Sequence, residues 1–326
     1  MLYDTVVVGG SAAGIAAALY SARQGLKTLV LTKDIGGQML LTNEIQNYPG
    51  IINITGFDLA TKFREQAELY GVDFAYEEVI SVEEDKECPG LCFKVRTAEK
   101  EYNTTAVILA FGKTPKDLGV PGEQRLKGRG VSYCAVCDGP LFKGKTVAVV
   151  GSGDQALEAV NYLSGVAGKV YLVHNYPKPI GSEEMIQQVL SLKNVEDIPN
   201  SKAVEVTGDS RLKAITLLRT ENGSKKEVDV DGLFIEVGYV AKTDFLGNLV
   251  NLNDKKEIKI DGEARTSAQG IFAAGDITDF PYKQAVISAA QGTVAALSAY
   301  NYIQRLRGRS ASRTDWRALK PVARST

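Results

Sequence analysis

The chain has 326 residues, enough for two domains of ordinary size, and its 44% hydrophobic and 24% charged residues are those of a soluble globular protein. The net charge of −1 conceals a basic tail: Arg305, Arg307, Arg309, Arg313, Arg317, Lys320 and Arg324 face one acid, Asp315, so residues 305–326 carry +6 and the rest of the chain carries −7. No apolar run approaches the ~18–20 residues of a membrane span, the front is too short and uncharged for a signal peptide, and a short basic tail on an acidic body argues against nucleic acid and membrane as partners. That tail can fold back on its own or a neighbouring subunit, or recruit an anionic partner. Four cysteines, two of them in a C-x-x-C, favour a reducing, cytoplasmic compartment over a disulfide framework.

Thr5–Val8 is a β-branched run that feeds Gly9-Gly10-Ser11-Ala12-Ala13-Gly14 and a helix over 15–24. A second apolar strand, 27–32, completes a β–turn–α–β unit. This is the opening of a dinucleotide-binding fold, in which glycines allow a tight turn and a pyrophosphate sits at the helix N-terminus. Ser11 replaces the middle glycine of the fingerprint, and its small side chain still admits phosphates. Asp34 is the candidate ribose-binding acid, although a solvated loop acid is the simpler reading. The loops Ile35–Gln38 and Asn47–Gly50 and a helix over 57–70 follow. From Val79 to Tyr102 the residues alternate as in an antiparallel meander laid over a parallel sheet. A buried strand over 107–110 ends in Phe111-Gly112, and 114–123, with Pro115 and Pro121, reads as a domain linker.

Tyr133–Gly139 reads Tyr-Cys-Ala-Val-Cys-Asp-Gly. Two cysteines two residues apart suit dithiol–disulfide exchange: one thiolate attacks a partner and the other resolves the mixed disulfide. Asp138, directly after Cys137, is placed to hand protons to and from the outgoing sulfur. Half of a zinc site looks the same, but with a single histidine, His174, such a site would need Cys88 and Cys92, which are read as structural. No metal is expected. A second glycine loop then follows strand 146–150: Gly151-Ser152-Gly153-Asp154-Gln155-Ala156, a helix over 157–163 and a strand over 169–174. Alternating strands fill 203–236, a return linker 237–247. Gly270–Asp276 is a strand ending in Gly-Asp, and a long helix over 283–306 closes the fold.

GGSAAG at 9–14, GGQ at 36–38, NYPG at 47–50, CAVCDG at 134–139, GSGDQA at 151–156, AAGD at 273–276 and KQA at 283–285 together resemble the low-molecular-weight thioredoxin reductases. These belong to the flavoprotein disulfide reductases with two dinucleotide domains. The resemblance covers roughly 2–308. It implies an α/β fold of two Rossmann-like domains, each a parallel sheet plus an antiparallel meander in three layers, the second inserted into the first. The FAD domain would be 1–115 with 246–326, and the inserted nucleotide-type domain 116–245. It further implies that Gly9, Ser11 and Gly14, with Ala12 and Ala13 between them, lie at the FAD pyrophosphate, and that Gln38, Asn47 and Gly112 lie near the flavin. Gly275 and Asp276 would meet the ribityl–phosphate portion, and Lys283, Gln284 and Ala285 the flavin ring. Cys134, Cys137 and Asp138 would be the redox disulfide and its acid. The absence of a C-terminal histidine agrees with Asp138 in that role. A homodimer is expected from the resemblance alone.

The departures bear on the electron donor. NADPH-using members end the strand after the second glycine loop in His-Arg-Arg, with another Arg four residues on; those guanidiniums clamp the 2′-phosphate. Here the chain reads His174-Asn175-Tyr176-Pro177-Lys178-Pro179-Ile180, with only Lys178 charged. No acid stands there for the free hydroxyl of NADH. Asp154 puts a negative charge where a pyrophosphate would lie. NADPH is therefore a poor candidate. Subgroups that do without pyridine nucleotide, one fed by ferredoxin and one carrying a second FAD in the inserted domain, suit this chain, and Gly151, Gly153 and Ala156 keep the shape for some dinucleotide. Phe111 stands where the family usually has Thr, with no indication of what it packs on. Trp316, in the tail, is either a packing anchor or a stacking group for an isoalloxazine ring or a dimer mate. The expected function is FAD-linked disulfide exchange with a thioredoxin-like or other disulfide protein. An NAD(P)H-dependent reductase with an atypical clamp, and a non-catalytic FAD-containing redox sensor, stay open as alternatives.

Overall fold

The computed structural model describes residues 2–42, 44–86 and 92–310. Two compact units share the chain: one takes the residues up to Thr114 and from Ala241 onward, the other is Pro115–Val240. The first unit opens with β1 (Leu2–Val8), α1 (Ala12–Arg23), β2 (Thr28–Leu31), α2 (Gly56–Glu68) and β3 (Asp73–Ala75). β1 pairs in parallel with β2, Val6 opposite Leu29, and β2 in parallel with β3. Ala17 and Ala18 of α1 are fully buried, so the alanine-rich sequence serves both helix propensity and close packing on the sheet. The Thr55 hydroxyl caps α2 by accepting the Asp58 N–H at 3.0 Å.

β4 (Val79–Glu84), β5 (Phe93–Thr97) and β6 (Glu101–Leu109) form the expected antiparallel meander, but it is not a separate layer. β6 is long enough to do two jobs. Its first half pairs antiparallel with β5, Lys94 opposite Asn103, while the same strand runs parallel to β1 from Leu2↔Asn103 to Val8↔Leu109. The meander therefore extends the main sheet. The sequence shows the change of role: Ala106–Leu109 is continuously apolar and fully buried, as a strand covered on both faces must be.

The second unit contains β7 (Thr114–Pro115), which starts at the boundary, α3 (Glu123–Leu126), β8 (Val131–Ser132), α4 (Ala135–Asp138), β9 (Thr146–Val150), α5 (Asp154–Ser164), β10 (Lys169–Val173), α6 (Glu183–Leu190), β11 (Val195–Ile198), β12 (Ser201–Gly208), β13 (Leu212–Arg219), β14 (Lys225–Asp229), β15 (Gly232–Ile235) and β16 (Tyr239–Val240). Five strands make a parallel sheet in the order β11-β10-β9-β15-β8, and β12-β13-β14 form an antiparallel meander of their own. Here the meander is a separate sheet: its Val206, Leu212, Ile215 and Leu217 share a core with Ala148, Val150 and Val173 of the parallel sheet.

Back in the first unit, β17 (Ile271–Ala273) pairs in parallel with the second half of β6, and α7 (Ala285–Leu306) closes the core. A Cβ on Gly292 would lie 2.0 Å from the Ala13 carbonyl oxygen, so a side chain there is incompatible with the packing of α7 on α1. Phe111 packs edge to face on Phe245, ring centroids 5.0 Å apart, which identifies its partner. Cys92 is buried and disulfide-bonded. Cys88 and Trp316 lie outside the described residues, as does the basic tail from 311 on.

Candidate functional site

In the first unit, β1 delivers the chain to Gly9, whose φ of +114° suits only glycine, and a Cβ there would lie 2.3 Å from the Ala110 carbonyl oxygen. Gly14 is equally confined, its added Cβ falling 1.8 Å from the Gly9 carbonyl oxygen. Ser11 is the N-cap of α1, but its hydroxyl turns away to donate to the Gly36 carbonyl at 2.6 Å, and the first turn holds no acid. The leading N–H groups of α1 are thus without a side-chain cap, behind buried Ala12 and Ala13. Such a cradle suits a diphosphate. Asp34 accepts the Gly37 N–H at 2.8 Å and is exposed, so the loop-acid reading describes it.

Gln38 joins the predicted residues into one seam. Its side-chain amide donates to the Lys113 carbonyl and to Asp276 Oδ2, both at 3.3 Å, and lies 3.9 Å from where a Gly112 Cβ would be. Ser288 Oγ donates to the other Asp276 oxygen at 3.3 Å, and the Gly275 N–H donates to Gln291 Oε1 at 2.8 Å. Asn47 donates to Gln284 Oε1 at 3.1 Å, just before Ala285 begins α7. Ser288 and Gln291 went unread in the sequence, although they follow Gln284 at helical spacing and share its face. Lys283 donates to the Thr278 carbonyl at 2.6 Å and lies 3.8 Å from Glu257, which also receives Lys113 at 2.5 Å and Asn253 at 2.7 Å. Burial, then Lys113, lowers the Lys283 pKa against the pull of Glu257. Desolvation raises the Glu257 carboxyl, but its hydrogen bonds from Lys113 and Asn253 outweigh that and hold it low. No motif marks Lys113 or Glu257.

In the second unit the Cys134–Cys137 turn is built on α5. Cys134 and Cys137 are joined as a disulfide with Cα atoms 5.4 Å apart. Cys134, half-buried, caps the one-turn α4, its Sγ accepting the Cys137 N–H at 3.0 Å; Cys137 is exposed. Ser132 Oγ accepts the Cys134 N–H at 3.0 Å, and the Asp138 N–H reaches the Cys134 carbonyl at 3.2 Å. Asp138 itself is half-buried. A Cβ on Gly139 would lie 2.9 Å from the Tyr162 ring of α5, so this glycine lets the turn sit directly on that helix.

The second glycine loop has Gly153 at the N-cap of α5 and exposed Asp154 as its first residue. A Gly151 Cβ would lie 2.2 Å from the Glu236 carbonyl oxygen and 2.9 Å from the Ala156 methyl. The segment after β10 folds back on this loop, the Ile180 N–H donating to the Ser152 carbonyl at 2.6 Å. His174 is buried, its Nε2 2.8 Å from Asp197 Oδ1, while Asn175, Tyr176 and Lys178 are exposed. Glu236, unread in the sequence, directly follows β15, under the loop. Burial, then the nearby Glu158, pushes its pKa up to about 8. Its signal was available: an acid inside the apolar run Leu233–Val237.

The sequence over residues 3–292 matches the model for pyridine nucleotide-disulphide oxidoreductases. The chain belongs to that family. It is 38% identical over 308 residues to the thioredoxin reductase of Bacillus subtilis, covering 94% of this chain and 96% of that protein. It is 39% identical over 309 residues to the Listeria monocytogenes thioredoxin reductase, covering 94% and 95%. Among solved structures it resembles the Lactococcus lactis thioredoxin reductase in its FR conformation, with a TM-score of 0.84 at 34% identity over 93% of this chain and 99% of that one. It also resembles a ferredoxin-flavin thioredoxin reductase from Clostridium acetobutylicum, with a TM-score of 0.52 at 32% identity over 95% and 100%. This family member is a flavoprotein disulfide oxidoreductase that binds FAD. Among the described residues no cluster of His, Cys, Asp and Glu is arranged to hold a metal ion, and no helix is long and apolar enough to cross a membrane.

Proposed function

We propose that this oxidoreductase passes electrons between its FAD and the Cys134–Cys137 disulfide, and between that disulfide and a thioredoxin-like protein of the cytoplasm. The observation that carries the reading is the formed disulfide on a one-turn helix, one cysteine exposed, with Asp138 next in sequence. FAD supplies reversible two-electron chemistry. Gly9, Ser11, Ala12, Ala13 and Gly14 would hold its diphosphate, Asp276 its ribityl chain, and Gln38, Asn47, Lys283, Gln284 and Ala285 would line the ring. Asp138 moves the proton at the leaving sulfur.

We further propose that NADPH is not the donor. In support, the place where a 2′-phosphate clamp would stand offers a histidine buried on Asp197, then Asn175 and Tyr176, with Lys178 the one cation before Gly181. The residues present do not fit a 2′-phosphate. Reduced ferredoxin or a second FAD in the Gly151–Ala156 groove is the other redox partner in this reading. The chain acts as a homodimer. That part of the reading rests on the family resemblance.

Reductive titration tests the flavin–disulfide coupling. With one FAD per chain, full bleaching should consume two electrons for the flavin and two for the disulfide. Cys137→Ser should need only the flavin's two. Equal consumption by both proteins would mean that the disulfide does not exchange electrons with FAD. Two flavins per chain, counted first, would assign the second groove.

A further inference from the structure

Glu257 stands between two lysines, and the disulfide chemistry does not use it. It is 7% exposed. The Lys113 ammonium lies 2.5 Å from its Oε1, and the Lys283 ammonium 3.8 Å from the same oxygen. Oε2 accepts the Asn253 side-chain amide at 2.7 Å, and Asn253 Oδ1 in turn accepts the Glu257 N–H at 2.9 Å. Asn253 thus clamps the residue from both its side chain and its backbone.

The two lysines are engaged differently. Lys113 directly follows Gly112, its carbonyl accepts the Gln38 amide, and its ammonium is within hydrogen-bond distance of Glu257. The Lys283 ammonium donates to the Thr278 carbonyl at 2.6 Å, while its 3.8 Å to Glu257 exceeds a hydrogen bond. An ammonium has three donors, so two of them lack an acceptor among the described residues. The Lys283 side chain is 27% exposed, against 17% for Lys113 and 9% for Glu257, which makes it the member of the trio most open to a ligand. Burial acts to strip its proton and Glu257 to keep it, with Lys113 adding to the first effect. The other charged groups facing it are Asp276, which accepts from Gln38 and Ser288, and exposed Asp279.

We infer that Glu257 is a positioning residue that keeps Lys283 charged and in place as a donor to the flavin ring, and that the two together set the potential of the bound FAD. The inference rests on the reading that Lys283 lines the ring. Reduction of FAD takes up two electrons; with one proton the ring gains one negative charge, and with two it gains none. A charged Lys283 beside the ring stabilises the anionic reduced form over the neutral oxidised one, and so raises the potential. Without Glu257, two part-buried ammoniums face each other with no carboxylate between them. Lys283, the more exposed, then gives up its proton or turns to water. Loss of this negative charge therefore lowers the potential, the opposite of what a carboxylate acting only through its own charge would give.

The test uses the full-length, FAD-loaded chain with Cys137→Ser, so that only the flavin takes up electrons, alone and with Lys283→Met, Lys283→Arg, Glu257→Gln or Glu257→Asp added. Flavin absorption bands are recorded, and the flavin midpoint is read anaerobically at pH 9 against reference dyes. K283M should shift the bands and lower the midpoint by about 30 mV or more, which is about tenfold for a two-electron couple. K283R should restore the midpoint. E257Q should lower it as well, and E257D should bring it back toward the parent. Bands shifted by K283M with an unmoved midpoint, or an E257Q midpoint at or above the parent's, overturn the inference and leave the ring's place standing. Bands and midpoint both unmoved by K283M overturn the placement of the ring beside Lys283, and the inference with it.

Discussion

At the scale of single residues, the Cys134–Cys137 pair and Glu236 differ in how much of each is visible in the sequence. Cys134 and Cys137 are visible as a spacing, and the structure joins them. Replacing either with serine should leave FAD bound and lower turnover with a thioredoxin-like protein at least about a hundredfold, because the covalent route is lost. Asp138→Asn should lower it about 10²–10⁴-fold through proton transfer alone. Glu236 stands out in the sequence as an acid inside the apolar run Leu233–Val237, but its protonation is a burial effect that follows from its place just past β15, under the glycine loop. Its raised pKa has a definite sign. Between about pH 4.5 and 8 the folded chain holds a proton that the unfolded chain releases, so this contribution to stability is full at low pH and fades as pH rises through 8. Glu236→Gln should therefore melt higher than wild type at pH 9, by on the order of 2–4 kcal/mol at most, and match it near pH 4.5. A wild type equally stable against the variant at both pH values would show that the carboxyl is not held neutral.

At the scale of elements, the β–turn–α openings were legible because they combine β-branched runs, glycines and alanine-rich helices over short stretches. What escaped were features set by partners distant in sequence. α1 starts at Ala12 rather than at 15, since the small residues Ala12–Gly14 continue the helix into the glycine turn. The meander of the first unit reads as a separate layer from alternation alone, because period-two patterning reports a half-buried strand and not which edge it joins. β6 settles that through its pairing with β1. Likewise Gly292 is one small residue in a helix of small residues, and only the contact with the Ala13 carbonyl gives it a role. Gly292→Ala should cost ~1–3 kcal/mol by overpacking α7 against α1, and thermal melts of the FAD-loaded protein check it. Ala290→Gly, at an exposed position of the same helix, should cost about 1 kcal/mol through helix propensity.

At the scale of the whole molecule, the chain keeps the parts of a flavin–disulfide oxidoreductase, and in the segment proposed to face a 2′-phosphate, His174–Gly181, Lys178 is the one lysine or arginine. The family could be read from ordered motifs spread along most of the chain, because each glycine, cysteine and Gly-Asp position answers a local steric or chemical requirement. The proposal about the donor rests on missing arginines, and the histidine at that place is buried on Asp197. No motif marks Lys113 or Glu257, which meet Lys283 only on folding. One anaerobic experiment tests the electron donor most directly. The FAD-loaded protein is mixed in turn with a dithiol, reduced ferredoxin, NADH and NADPH, and flavin absorbance is followed. Bleaching by the dithiol or ferredoxin, with none by micromolar NADPH over the same time, is the expected result; rapid bleaching by micromolar NADPH would contradict it.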